Sequence, residues 1–189
     1  MSLLEVAEAG HFRHDLLPPG TQPELAVTRH YAPQAPFCIA NGIQAALIEV
    51  DLQTGFVTPM KHWVVEDCGR VINPLLVDEQ IRGGVVQGIG GALFEHCIYD
   101  DDANLLNGTL ADYMVPMAAE MPDIQVGLVE TLAEGTQLGA KGAGEAGTVG
   151  APAAIMCAVN DAVRPHHALV TEMPMTPEIV LNALKNPVL

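Results

Sequence analysis

The sequence predicts an α+β domain: mixed or antiparallel strands with two or three helices packed on them. Three observations lead to that class. Phe37–Asp51 and Phe56–Glu66 are apolar, partly alternating stretches on either side of Gln53-Thr54-Gly55, the pattern of a β-hairpin with a short loop. Pro74–His96 repeats apolar residues at helical spacing behind Asn73-Pro74, a capping residue followed by a first-turn proline. Ala151–Val163 is an alanine-rich helical pattern that follows a glycine-rich loop. The chain has 189 residues and is 49% hydrophobic, enough to bury one core.

Leu3–His11 places apolar residues at 3, 4, 6, 7 and 9, which predicts a short amphipathic helix. Phe12–Pro36 contains Pro18, Pro19, Pro23, Pro33 and Pro36 with Gly20, and reads as an extended arm with one strand near Glu24–Tyr31. Such an arm cannot bury itself. Residues 1–189 are therefore expected to form a single domain, with a helix and proline-rich arm over 1–36 and a core over 37–189, that belongs to a larger body. Within the first strand, Ile43–Asp51 is apolar enough to be buried on both faces.

The long helix is interrupted by Gly83, Gly84, Gly88, Gly90 and Gly91. Each costs about 1 kcal/mol relative to alanine inside a helix, so they need a reason. One reason is tight packing against a neighbour. The other is that Gln87-Gly88-Ile89-Gly90 uncovers backbone to a ligand. The residues alone favour neither. Cys97–Tyr113 carries Tyr99-Asp100-Asp101-Asp102 and Asn107-Gly108, turn chemistry between short strands. Its three aspartates read as a solvated tip, because no EF-hand spacing follows. Tyr113–Met121 is a short helix or loop, Ile124–Thr131 alternates as a strand, and Leu132–Leu138 is a loop. Thr176-Pro177-Glu178 opens a terminal helix over Pro177–Lys185.

The formal net charge of −15 argues against nucleic acid and against anionic membrane surfaces as partners. No apolar run is expected to span a membrane, and the acidic N-terminal stretch is not that of a signal peptide. A cytoplasmic location follows as an expectation. Cys38, Cys68, Cys97 and Cys157 form no C-x-x-C, so reduced, mostly buried thiols are expected rather than an iron–sulfur or zinc site. The seven histidines form neither H-x-x-x-H nor H-E-x-x-H, and no protein-ligated metal is expected.

Leu138–Gly150, LGAKGAGEAGTVG, concentrates Gly139, Gly142, Gly144, Gly147 and Gly150, with Gly135 just upstream. Glycines at this density let a backbone bend sharply and approach a ligand. A helix start beside them aims unpaired N–H groups outward. Gly142-x-Gly144-x-x-Gly147 has the letters of a dinucleotide fingerprint. Its context fails, since the preceding strand ends too early and no second strand follows the helix. Lys141 is not in a Gly-Lys-Ser/Thr tripeptide, and no Gly-x-Ser-x-Gly occurs. That leaves Glu145, either a carboxylate stabilised by the helix dipole or a group that does chemistry. On the residues alone the dipole reading is the stronger.

Several phrases stand in order along the chain: Phe37-x-x-Ala40-Asn41-Gly42, Asp67-Cys68-Gly69-Arg70-Val71-Ile72-Asn73-Pro74, Gln87-Gly88-Ile89-Gly90-Gly91-Ala92-Leu93, Asp112-Tyr113-x-x-Pro116, Gly139-Ala140-Lys141-Gly142-Ala143-Gly144-Glu145 and Met173-Pro174-Met175-Thr176-Pro177-Glu178. Together they resemble the C-terminal part of the large, molybdenum-binding subunit of the xanthine dehydrogenase, aldehyde oxidase and carbon monoxide dehydrogenase family, the molybdenum hydroxylases. The resemblance covers nearly the whole chain. It implies the fold of the second molybdopterin-binding domain and a molybdenum–molybdopterin cofactor, in bacteria often the cytosine dinucleotide form.

The resemblance further implies that Gln87, Gly88 and Gly90 pack against the pterin near the metal. Gly139, Ala140, Lys141, Gly142, Ala143 and Gly144 would bind the cofactor, with Lys141 holding the turn or a polar cofactor group. Glu145 would be the general base for hydroxylation of a carbon centre with oxygen from water. Enclosure of a carboxylate among apolar groups and glycines raises its pKa toward the range a base requires. The earlier part of such a subunit, with its other pterin loops and most of its substrate pocket, lies outside this sequence. The resemblance thus implies a fragment or a naturally split subunit, inactive and without cofactor when alone. Its partners would be the remainder of the molybdenum subunit, iron–sulfur and FAD subunits, and a small-molecule substrate. Aldehydes, N-heterocycles and carbon monoxide stay open as substrates, and a noncatalytic cofactor-binding or subunit-interface domain is the alternative.

Overall fold

The computed structural model describes residues 2–23, 26–32 and 37–188. Its contacts divide the chain into two compact units, 1–33 and 34–189. The first holds helix α1 (Leu3–His11), as the apolar spacing predicts, and a 3-10 turn over His14–Leu16. Ser2 caps α1 by accepting from the Glu5 amide, and the Glu5 side chain returns to the Ser2 amide, a capping box. Of the strand expected near Glu24–Tyr31, Glu24 and Leu25 lie outside the described residues, and 26–31 form no strand.

The second unit is a three-stranded mixed sheet under two long helices. Strands β1 (Asn41–Val50) and β2 (Val57–Asp67) form the expected hairpin, antiparallel from Asn41↔Asp67 to Val50↔Val57. Asp51 builds its turn by accepting from the amides of Gln53 and Thr54. Strand β3 (Asp123–Leu128) adds parallel to β2, giving the order β1-β2-β3. A parallel neighbour needs a long crossover, and helix α2 (Pro74–Leu93) lies within it. Asn73 caps α2 by accepting from the Leu76 amide, with Pro74 in the first turn. Helix α3 (Ala146–Val163) follows the glycine loop, and α4 (Pro177–Lys185) opens on the Thr176 cap.

One face of the sheet, with α2 and α3, makes the core: Val64, Ile81, Val85, Ile89, Ile155, Val159 and Val163 are fully buried. The expectation that β1 is buried on both faces is corrected. It is an edge strand, and only alternate residues face α3, so Ile43 is 72% exposed and Leu47 51%. Trp63 and Val65 of β2 share that uncovered face. The expected short strands around 97–113 reduce to one bridge, Tyr99–Leu105. There Asp100 turns the chain by accepting from the amides of Asp102 and Asn104. Among the described residues no group of three or more His, Cys, Asp or Glu is arranged to hold a metal. The expectation of mostly buried thiols is corrected: Cys68 is buried, but Cys38, Cys97 and Cys157 are exposed. The expectation that no run could span a membrane also needs correction. By length and composition Ala146–His166 is apolar enough, but its residues Ala151, Ile155, Val159 and Val163 are core.

The glycines of α2 separate into two kinds. A Cβ on Gly88 would stand 2.7 Å from Ala151 Cβ, and one on Gly84 3.0 Å from Gly147 Cα. From the other side, a Cβ on Gly147 would meet Ile81 O at 2.2 Å. These residues let α2 and α3 touch backbone to backbone. A Cβ on Gly90 would meet Glu95 and Pro116, whereas Gly83 and Gly91 face open space. Overpacking costs about 1–3 kcal/mol, and an unneeded helix glycine about 1 kcal/mol relative to alanine. Denaturant unfolding should therefore show Gly147→Ala lowering stability by at least about 1 kcal/mol. Gly91→Ala should raise it by several tenths to about 1 kcal/mol.

Candidate functional site

The glycine loop is anchored at its start by Asp67, the last residue of β2. Asp67 Oδ1 accepts from the amides of Gly69 and Thr131, both at 3.0 Å, and Oδ2 accepts from Lys141 Nζ at 3.0 Å. The amides of Thr131 and Gly69 and the Lys141 ammonium hold the Asp67 carboxyl far below the usual carboxylate range. Both side chains are largely covered, 8% exposed for Lys141 and 14% for Asp67. Gly69, at φ +65°, lets the two segments cross: Arg70 N donates to Gly139 O and Lys141 N to Cys68 O. The phrase Asp67-Cys68-Gly69-Arg70 and the loop's first residues are thus one structural unit. Lys141 is spent on it.

Beyond Lys141 the loop opens. A Cβ on Gly142 or on Gly144 would meet nothing within 4 Å. Gly142, Gly144 and Glu145 border a cleft of about 860 Å3 between β1 and α3, together with Cys38, Gly42 and Cys157 among others. Glu145 occupies the N-cap position of α3, yet its side chain makes no capping hydrogen bond. It is exposed, so the described residues of this chain do not supply the apolar enclosure expected around it. Among the described residues no capping hydrogen bond engages its carboxylate, and it borders the cleft.

The backbone around that carboxylate is held from both sides. Gln80 Nε2 of α2 donates to Gly144 O at 2.8 Å. From β1, Gln44 Nε2 donates to Ala146 O at 3.2 Å and Gly147 O at 3.0 Å. Gln44 Oε1 lies 2.9 Å from His62 Nε2. An amide oxygen only accepts, so Nε2 carries the imidazole proton. His62 is fully buried, Nδ1 has no partner, and burial lowers its pKa, so it is neutral there. Glu66, 4% exposed, accepts from Gln44 Nε2 at 3.4 Å, and burial raises its carboxyl pKa.

The remaining expected site residues are spread along two helices and the loop. Gln87 is exposed on α2, and its Oε1 lies 3.1 Å from the Thr148 hydroxyl, which also lies 3.0 Å from Gly84 O. Gly88 and Gly90 do not border the cleft and are enclosed by the packing described above. Gly139, at φ +71°, and Ala140, whose carbonyl lies 3.2 Å from Thr136 Oγ1, belong to the turn anchored by Asp67. Ala143 is half-buried between Gly142 and Gly144. Sequence reasoning missed Gln44, His62, Glu66 and Gln80. The first three carried a signal: a polar residue interrupts the apolar run of β1, and His62 and Glu66 fall on the same face of β2 as Val64. Gln80 had none, since its helix position is ordinary.

Residues 1–122 match the family model described as a molybdopterin cofactor-binding domain. The nicotine 6-hydroxylase large subunit of Paenarthrobacter nicotinovorans is 42% identical over 185 residues, which extends through the loop to cover 98% of this chain but 22% of that protein. The carbon monoxide dehydrogenase large chain of Hydrogenophaga pseudoflava is 34% identical, over 89% of this chain and 21% of that one. Quinoline 2-oxidoreductase from Pseudomonas putida 86 superposes with a TM-score of 0.82 at 38% identity, over all of this chain and 24% of its own. The chain spans about a fifth of the length of the curated relatives it matches.

Asp67→Asn removes the charge that binds Lys141. Because the folded-state pKa of Asp67 is depressed, its contribution is present above its ordinary value of 3.8 and is lost as pH falls below that. Urea midpoints should be lower for Asp67→Asn than for the parent at pH 7, with the gap narrowing progressively below pH 3.8.

Proposed function

The chain belongs to the molybdopterin cofactor-binding domains of the molybdenum hydroxylase family, and from that membership we propose that it forms one wall of the catalytic site of a molybdenum-dependent hydroxylase, with Glu145 as its general base. The observation that carries the reading is the state of Glu145. Its side chain makes no capping hydrogen bond at the start of α3, and it borders the cleft together with Gly142 and Gly144. The residues present fit the cofactor: Gly142 and Gly144 leave open space where side chains would stand, so their backbone is accessible to a bulky group.

Gly142, Ala143 and Gly144 would hold that group with their backbone, and Gln87 with the exposed amide at the neighbouring α2 surface. Gly88 and Gly90 would serve it from behind, by seating α2. When bound, molybdenum on its pterin dithiolene supplies the two-electron oxidation of the substrate carbon. Glu145 accepts the proton that water releases as its oxygen is delivered to that carbon. Gln44 and Gln80 keep the surrounding backbone in place. Lys141 holds the turn through Asp67.

The uncovered apolar sheet face, with Ile43, Leu47, Trp63 and Val65, supports the remainder of the large subunit as the principal partner. Iron–sulfur and FAD subunits follow as electron carriers, with a cytoplasmic location. For the substrate, the nicotine and quinoline enzymes share more of this chain's residues than the carbon monoxide enzyme does. That puts nitrogen heteroaromatics ahead of aldehydes and carbon monoxide.

In the complete enzyme, Glu145→Gln should retain its molybdenum and its fold while turnover falls by roughly two to four orders of magnitude, the range of a lost acid–base group. Parent-like turnover would favour the noncatalytic interface domain. Metal analysis of the purified 189-residue chain should find no stoichiometric molybdenum, because the rest of the cofactor pocket lies on other segments.

A further inference from the structure

Glu145 is the residue on which the proposed chemistry rests, yet among the described residues its side chain makes no capping hydrogen bond. Where its carboxylate stands is set by the backbone on either side of it. The following residues, Ala146 and Gly147, are tied to Gln44, which reaches them from β1, 102 positions earlier for Ala146. We propose that Gln44 is a positioning residue for Glu145: its side-chain amide, fixed between His62 and Glu66, holds the first two residues of α3 and so sets where the Glu145 carboxylate stands in the cleft. This rests on the catalytic reading of Glu145.

Three features make Gln44 a built device rather than an incidental contact. Its amide has one orientation only. Oε1 faces an N–H donor, His62 Nε2, while Nε2 faces three acceptors: Glu66 Oε1, Ala146 O and Gly147 O. Rotating the amide by half a turn would set its oxygen against those oxygens. Second, the two groups that hold it are buried polar side chains in the core face of β2, a placement tolerated only with hydrogen-bond partners. Third, two glycines clear the space. A Cβ on Gly150 would stand 2.9 Å from Gln44 Cδ, and a Cβ on Gly42 would stand 2.0 Å from Glu66 Oε2. Gly42 lies opposite Glu66 in the hairpin, and Ala46 opposite His62. Small residues on β1 therefore make room for the polar pair on β2, and Gln44 carries the result to α3.

The test uses the complete enzyme, with nicotine, quinoline, benzaldehyde and carbon monoxide as probe substrates and an artificial electron acceptor. Gln44→Met keeps the length and loses the amide. On the probe that the parent turns over fastest, kcat should fall at least tenfold with KM within twofold and molybdenum content unchanged. In a Glu145→Gln background the same substitution should cost less than twofold more, because its effect passes through Glu145. Independently of turnover, amide hydrogen exchange in the segment 142–150 should quicken at least tenfold in Gln44→Met and remain parent-like in Glu145→Gln. If Gln44→Met does not accumulate, Gly150→Ala displaces the amide by crowding it and should give the same readings. Parent-like kcat and exchange in the Gln44 variant, beside a Glu145→Gln enzyme that has lost its turnover, would overturn this inference alone. A full Gln44→Met loss persisting in the Glu145→Gln background would also overturn it. Parent-like turnover of Glu145→Gln would overturn the catalytic reading and this inference with it.

Discussion

The backbone-to-backbone contact of α2 and α3 is the constraint on which the rest of the unit depends. Gly84, Gly88 and Gly147 permit it, and a side chain on Gly147 would collide with the Ile81 carbonyl. Because the helices lie this close, Gln80 can reach Gly144 O, and the Thr148 hydroxyl stands within hydrogen-bond distance of Gly84 O. The N-terminus of α3 is thereby fixed against α2, while β1 passes on its other side. The cleft that Glu145 faces is what remains between α3 and β1.

Two polar clusters then divide the work of holding the loop. Asp67 and Lys141 close its first half into a turn with the end of β2. Gln44, His62 and Glu66 hold the far end, where the loop becomes helix. Between them Gly142 to Glu145 borders the cleft, with the Gly144 carbonyl held by Gln80 of α2. Burying such groups is costly unless each finds partners, and here nearly every polar atom does. His62 Nδ1 is the exception, and the neutral imidazole tolerates it better than a charged one would.

Much of the architecture was legible in the residues. Asn73-Pro74 and Thr176-Pro177 opened helices where expected, because caps and first-turn prolines are local signals. The hairpin followed from its alternation and its turn. Burial of β1 was misread, since an apolar run does not reveal whether its strand lies at a sheet edge. The five glycines of α2 could not be sorted from sequence either. Which of them meet another backbone depends on where α3 lies, and α3 begins more than fifty residues later. Glu145 was found by resemblance to a motif, but that it leaves its helix uncapped could be seen only in three dimensions. By sequence Gln44 is one residue of a strand, and its side-chain partners lie on two other segments, β2 and the start of α3.

The most direct measurement of the central claim is the position of molybdenum in the complete enzyme, located by anomalous diffraction at the molybdenum edge. A single peak is expected on the open side of Gly142 and Gly144, on the side of the cleft that Glu145 borders. A peak elsewhere, with the cleft filled by protein and Glu145 paired to another residue, would contradict it.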